Sequence, residues 1–94
     1  DALRTISCYN ADVVFFSCRG LDDEGNLTDN SVGEDLVRLE MMKRSRKSVL
    51  LLDSGKIGRR CLHNLRHVSE IDHVVCDKPL PEDIRALVGS AKQA

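Results

Sequence analysis

The chain contains no tryptophan, and aromatic residues make up only 3% of its 94 residues. This scarcity argues against a surface that stacks single-stranded bases on aromatic rings. Acidic and basic residues nearly balance, with a formal net charge of −1 at pH 7, so no overall basic field directs the chain to nucleic acid. No apolar run approaches the ~20 residues that a membrane-spanning helix needs, and no signal peptide is recognisable.

The four cysteines are Cys8, Cys18, Cys61 and Cys76, and they lack the spacing of a small secreted disulfide framework. Cys18 and Cys76 lie in or beside apolar runs, so buried thiols of a cytoplasmic protein are the better interpretation. Cys61, Cys76 and the three histidines suggest zinc ligands, but no Cys-x-x-Cys pair is present. We therefore expect neither a metal nor another cofactor.

Three short apolar runs, at residues 13–16, 49–52 and 74–76, predict β-strands. None of them alternates apolar with polar residues, and each is too short for a helix. This pattern is typical of strands that are buried on both faces of a parallel sheet.

A helix is predicted after Ser31, because Ser31 and Glu34 have the spacing of a capping box. Its predicted apolar face consists of Val32, Leu36, Leu39 and Met42, and its predicted basic last turn of Lys43, Arg44, Arg46 and Lys47. A further helix is predicted to begin near Pro81. Residues 58–71 fit either a helix or an irregular stretch with a short strand.

The predicted fold is α/β, with a mainly parallel sheet of three to four strands and flanking helices. A parallel sheet needs helices on both faces, and the predicted helices are too few to supply them. The sequence also lacks an initiator methionine and opens inside an apparent helix. We therefore interpret the chain as an incomplete half of a larger domain.

Polar residues follow each predicted strand, and ligands of open parallel sheets bind beyond the strands' carboxyl ends. Ser17 and Gly20 follow the first strand, and Asp53 and Lys56 follow the second. The Lys56 ammonium is suited to pair with a phosphate, although a solvated loop lysine is equally compatible with the pattern. Asp53 is able to orient Lys56, to accept a ligand hydroxyl or to cap its own turn. Glu34 is able to accept sugar hydroxyls, but its capping-box role is favoured.

The order of these segments resembles the C-terminal sensor domain of DeoR-family transcriptional repressors. The matching segments are residues 11–17, 20–22, 25–28, 34–42, 51–58 and 71–77. The resemblance implies a fold like that of ribose-5-phosphate isomerase and a pocket for a phosphorylated sugar. It also implies that the pocket is surrounded by Asp12, Ser17, Gly20, Glu34 and Lys56, with Asp53 beside them.

This sequence departs from the family at Asp53-Ser54-Gly55-Lys56-Ile57, where the usual pattern is D-S-S-K-F. The lysine is retained, while the glycine loosens the loop. The family's Gly- and Thr-rich phosphate loop and its helix-turn-helix are both missing. We therefore expect residues 1–94 to be the C-terminal part of an effector-binding domain, carrying only half of a pocket.

The favoured hypothesis is a sensor without catalytic activity, whose sugar-phosphate effector alters operator binding by the missing helix-turn-helix. The alternative is a sugar-phosphate isomerase-like enzyme fragment, with Asp12, Glu34 or Asp53 as base and Lys56 as electrostatic stabiliser. A homo-oligomer formed through an uncovered sheet face is compatible with the first hypothesis. No membrane partner is expected.

Overall fold

Two β-sheets and three helices make up the computed structural model, which describes residues 2–88 and 92–93. The helices are α1 (Ala2–Ile6), α2 (Val32–Lys43) and α3 (Glu82–Leu87). The strands are β1 (Ala11–Phe16), β2 (Gly20–Leu21), β3 (Asn26–Asp29), β4 (Ser45–Leu52), β5 (His63–His67), β6 (His73–Cys76) and β7 (Lys92–Gln93). None of the described helices is long and apolar enough to cross a membrane.

The larger sheet is parallel throughout, with the strand order β1-β4-β6-β7. Its three longer strands contain the three apolar runs, so the predicted α/β class and parallel sheet are confirmed. Phe16 pairs with Leu50, and Leu50 pairs with Val74. Because paired residues share a face, these three side chains form one apolar row across the sheet.

The two faces of the parallel sheet differ in cover. Val14, Phe16, Leu50, Leu52 and Val74 point into the core, where they join residues of the smaller sheet and α3. On the opposite face, Val13, Phe15, Leu51 and Val75 are 36–63% exposed. The expectation that one face lacks cover is therefore confirmed for the part of the chain that the structure describes.

A second, antiparallel sheet has the strand order β2-β3-β5. Strands β2 and β3 lie between β1 and α2 in the chain, and β5 lies between β4 and β6. Residues 22–25 form the tight turn between β2 and β3, where Asp22 accepts hydrogen bonds from the Glu24 and Asn26 amides at 3.0 and 2.8 Å. Within residues 58–71, the structure has β5 and a short 3-10 turn at Val68–Glu70. Of the two alternatives for this segment, the irregular stretch with a short strand is therefore confirmed. Strands β2 and β3 were not predicted, because both are short and β3 carries polar residues.

Helix α2 begins where predicted, with the Glu34 amide donating to Ser31 Oγ at 3.3 Å. Its predicted apolar face is wrong in the first turns, because Val32 and Leu36 are 60% and 48% exposed while Asp35 is buried. The predicted basic last turn is also only partly right, since Arg46 and Lys47 belong to β4. Helix α3 follows Pro81, as predicted.

Candidate functional site

The carboxyl ends of three parallel strands converge at one edge of the sheet, here called the carboxyl edge. Ser17 follows β1, the turn Ser54–Lys56 follows β4, and Asp77 follows β6. Ser54 donates to Asp77 twice, from its amide at 2.7 Å and from its hydroxyl at 3.0 Å. These bonds lower the pKa of Asp77 and tether the turn that carries Lys56.

A cleft of about 350 Å³ opens beside this turn. We call it the basic cleft; its lining residues are Ser17, Cys18, Arg19, Asn30, Arg38, Lys56, Arg59 and Cys61. Four of these side chains are cations, and none is a carboxylate. A hydroxyl, an amide and several cations around one cavity are the groups that bind a phosphate or another oxyanion.

Lys56 is half-buried and borders both the basic cleft and a shallower groove that continues past Asp53 and Asp77. Asp53 Oδ1 accepts a hydrogen bond from the Gly55 amide at 2.9 Å, and the Asp53 carbonyl accepts one from the Lys56 amide at 2.9 Å. Of the roles considered for Asp53, the structure therefore shows the cap of its own turn. That turn fixes the backbone from which Lys56 extends.

Gly20 is buried next to two residues of the cleft lining, Arg19 and Arg59. A Cβ atom at this position would lie 2.3 Å from the carbonyl oxygen of Arg59 and 2.9 Å from Thr28 Oγ1. Only glycine allows the chain after β1 to approach the 59–61 segment this closely. Gly20 thus contributes to the site through backbone packing and leaves the cleft lining to its neighbours.

Arg38 and Arg19 both pair with Asp29, a carboxylate whose side chain has 0% exposure; the Arg38 side chain is 24% exposed and that of Arg19 is 63% exposed. Arg38 Nη1 donates to Asp29 Oδ2 at 3.0 Å, and Arg19 Nε lies 3.5 Å from Asp29 Oδ1. The sequence reasoning missed both arginines, together with Asn30 and Arg59. Asp29 ends β3 and Asn30 follows it; this strand has no apolar run, so no hydrophobic pattern marked this corner.

Glu34 and Asp12 stand apart from the cleft lining. Glu34 is exposed, with its carboxylate 3.7 Å from Arg38 Nη2, which places it near the cleft's margin. Asp12 lies at the amino end of β1, where its 91% exposed carboxylate is 3.8 Å from Arg46. At roughly 3.3 Å per residue, Asp12 is about 16 Å along the strand from Ser17. The expectation that Asp12 lies beside Lys56 is therefore wrong.

A larger groove of about 910 Å³ lies between α1, α2 and the start of β4. Its lining has as many carboxylates as cations, namely Glu40, Glu70 and Asp72 with Arg4, Lys43 and Arg66, so it lacks the excess of positive charge that the basic cleft has. Among the described residues, no three histidine, cysteine or acidic side chains are grouped to hold a metal ion. The basic cleft is therefore the better candidate for an anionic ligand.

Comparison with known proteins agrees with this architecture. Residues 1–78 match the profile of the DeoR C-terminal sensor domain. The chain belongs to this family.

Relatives of this sensor domain include the L-fucose operon activator of Escherichia coli, which is 34% identical over 71% of this chain and 28% of that protein. The HTH-type transcriptional regulator GlpR of Haloferax volcanii is 33% identical over 87% of this chain and 32% of that protein. The uncharacterized HTH-type transcriptional regulator YulB of Bacillus subtilis is 28% identical over 92% of this chain and 34% of that protein. The chain therefore spans about a third of the length of these relatives.

The cysteines of this sensor domain are all free thiols, but only Cys18 is fully buried, so the prediction of buried thiols is wrong for exposed Cys8 and holds in part for Cys61 and Cys76. Burial raises the pKa of Cys18 to about 11, against the opposing effects of the Gly20 backbone and of Lys56. The thiol donates a hydrogen bond to the Gly20 carbonyl at 3.4 Å. Cys18 therefore lines the cleft as a neutral thiol, which is a poor nucleophile.

Proposed function

We propose that the chain is the effector-sensing part of a DeoR-type transcription regulator and that its basic cleft binds the phosphate group of a phosphorylated sugar. The observation that carries this proposal is the convergence of Arg19, Arg38, Lys56 and Arg59 with the Ser17 hydroxyl at the carboxyl edge. Arginine and lysine are the side chains that bind phosphate, through charge-assisted hydrogen bonds.

The remaining candidate residues have distinct roles in this proposal. Ser17 and Asn30 line the cleft and are able to donate to phosphate or sugar oxygens. Glu34 and Asp53 lie near its margins, where carboxylates accept sugar hydroxyls. Gly20 shapes the floor, while Asp12 is excluded from the ligand's surroundings by its position at the opposite edge.

Residues 1–94 form, in this proposal, the C-terminal part of an effector-binding domain in a cytoplasmic regulator. Operator DNA is bound by a separate helix-turn-helix. The effector acts by population shift, binding one arrangement of the regulator more tightly and changing DNA affinity by that difference. The names of the relatives, which include an operon activator and HTH-type regulators, support this role.

An isomerase-like enzyme is the less favoured alternative, because the acidic groups are poorly placed for acid–base work. Asp53 caps its own turn, and Glu34 is exposed beside Arg38. Asp12 is at the other edge of the sheet. We therefore propose that the chain catalyses no reaction; turnover of a pentose phosphate by the full-length protein would contradict this.

Homo-oligomerisation is proposed through the exposed apolar face of the parallel sheet. Phe15 is 63% and Leu51 45% exposed on this face, and contiguous apolar surface of this kind favours association. Phe15→Ser is expected to shift the full-length protein toward monomer in sedimentation. An unchanged oligomeric state would remove this face from the interface.

The ligand proposal is tested by a thermal-shift screen of sugar phosphates on the full-length regulator. A ligand at 100 times its Kd stabilises the folded state by about 2.7 kcal/mol, so the true effector raises the melting temperature. Lys56→Ala should lose this response. Lys47→Ala, which removes an exposed lysine of β4, should keep it. If no phosphorylated sugar stabilises the protein, or if Lys56→Ala responds equally, the proposal fails.

A further inference from the structure

Two buried carboxylates share one arginine behind the basic cleft. Arg38 Nη1 donates to Asp29 Oδ2 at 3.0 Å and to Asp35 Oδ1 at 2.9 Å. The side chains of Asp29 and Asp35 are 0% and 5% exposed, whereas that of Arg38 is 24% exposed where it lines the cleft. One edge of the guanidinium is therefore fixed from behind, while the side chain still reaches the ligand's side.

Asp29 also contacts an arginine on a different element. Arg19, in the loop after β1, places Nε 3.5 Å from Asp29 Oδ1, and the Asn30 amide donates to the same oxygen at 2.7 Å. Arg38 comes from α2. The single buried carboxylate of Asp29 thus joins two of the three arginines that line the cleft, one from a loop and one from a helix.

Asp35 has three charged or titratable neighbours, Asp29, Arg38 and His63. Burial raises its pKa and the neighbouring Asp29 adds to this, while Arg38 and His63 act in the opposite direction. His63 Nδ1 lies 3.1 Å from Asp35 Oδ2, although the two atoms are not aligned for a hydrogen bond. Burying this carboxylate is costly, and its contact with Arg38 offsets that cost.

Carboxylates behind an anion site weaken anion binding by simple charge repulsion. Their presence behind the cleft needs a role that compensates for this repulsion. Holding arginine donors in place is such a role, because an arginine that is already positioned loses less freedom when it binds phosphate. We infer that Asp29 and Asp35 are positioning residues that hold Arg19 and Arg38 as a preformed clamp for a phosphate group. This inference rests on the proposed function of the basic cleft.

The test uses the full-length regulator with inorganic phosphate as probe and isothermal titration calorimetry as readout. Arg38→Gln should weaken phosphate binding about tenfold, the size expected for one lost charge-assisted contact. Asp35→Asn should weaken it severalfold even though the substitution removes a negative charge. Charge repulsion alone predicts the opposite sign, so the direction of change separates positioning from electrostatics.

Two controls separate the clamp from a general loss of structure. Glu40→Gln removes another α2 carboxylate that pairs with an arginine, Arg44 at 3.4 Å, and should change phosphate affinity less than twofold. In an Arg38→Gln background, Asp35→Asn should have almost no further effect, because its contribution acts through Arg38. Asp29→Asn is the companion variant, and Asp35→Asn decides the question if Asp29→Asn does not fold.

The outcomes distinguish failure of the arginine clamp from failure of the proposed phosphate-binding function. If the wild-type regulator binds no phosphate, both the clamp and the proposed function are overturned. If it binds phosphate but Asp35→Asn binds it equally or more tightly, the clamp is overturned while the proposed function stands. Additive losses in the Arg38→Gln background would also overturn the clamp.

Discussion

The two edges of the parallel sheet both carry arginine–carboxylate pairs, but they differ in burial. At the carboxyl edge, Asp29 has 0% side-chain exposure and contacts Arg19 and Arg38. At the amino edge, Asp12 and Arg46 are 91% and 85% exposed and lie 3.8 Å apart. The same residue types therefore pair around a buried carboxylate at one edge and around a solvated carboxylate at the other.

This difference shows why a charge pattern alone does not locate a binding site. An exposed ion pair contributes little, because water screens both charges and their side chains remain mobile. A buried carboxylate must be compensated, so it fixes its partners in place. The carboxyl edge is thus the edge where arginine positions are defined before a ligand arrives.

The largest expected effect compares the two aspartates directly. Asp29→Ala should reduce the free energy of unfolding by about 3 kcal/mol, since breaking a buried ion pair leaves its partners unsatisfied. Asp12→Ala should leave the free energy of unfolding unchanged. Urea denaturation of both variants measures these two changes, and equal losses of stability would show that burial does not distinguish the two edges.

A smaller effect is expected from two glycines. Gly20→Ala forces a Cβ to within 2.3 Å of the Arg59 carbonyl oxygen, and such overpacking should cost about 2 kcal/mol. Gly33→Ala adds a Cβ with nothing within 4 Å, in the first turn of α2. It should stabilise the protein by about 0.5 kcal/mol. Thermal unfolding that ranks them in the reverse order would contradict the packing of the cleft floor.

The smallest effect concerns acid titration at the carboxyl edge. Hydrogen bonds from the Ser54 amide and hydroxyl lower the pKa of Asp77, so the stability they add is present above the ordinary aspartate pKa. That stability is lost as the pH falls through the folded-state pKa. Ser54→Ala should raise the pKa of Asp77 toward its ordinary value, as measured by carboxyl-carbon NMR.

Ser45→Ala is the matched control, because the Ser45 hydroxyl lies at the amino edge and donates to the Met41 carbonyl at 2.7 Å. It should leave the pKa of Asp77 unchanged. Equal pKa values of Asp77 in Ser54→Ala and in the unsubstituted protein would mean that the turn carrying Lys56 is not tethered as described.

Hydrophobic patterns predicted the strands that contribute apolar side chains to the core. The runs at 13–16, 49–52 and 74–76 became β1, β4 and β6 because they form the row of residues in the core. The capping spacing of Ser31 and Glu34 likewise located the start of α2. These features are local, so sequence spacing was sufficient to find them.

The same patterns missed what depends on buried polar groups. Asp35 lies on the buried side of α2, where periodicity predicted Leu36, and Asp29 ends a strand with no apolar run. Their burial is explained by contacts with Arg38, which lies nine residues from Asp29 on a different element and joins both carboxylates only once β3 and α2 are packed together. Ser17 and Lys56 line one cleft because both follow parallel strands, while their role in ligand binding stays a prediction.

The most direct measurement is hydrogen–deuterium exchange of the full-length regulator with and without the sugar phosphate that stabilises it. We expect the ligand to slow amide exchange in residues 17–20 and 54–59 at the carboxyl edge and to leave exchange in residues 10–12 and 43–47 at the amino edge unchanged. Protection confined to the amino edge, or absent from 54–59, would contradict this expectation.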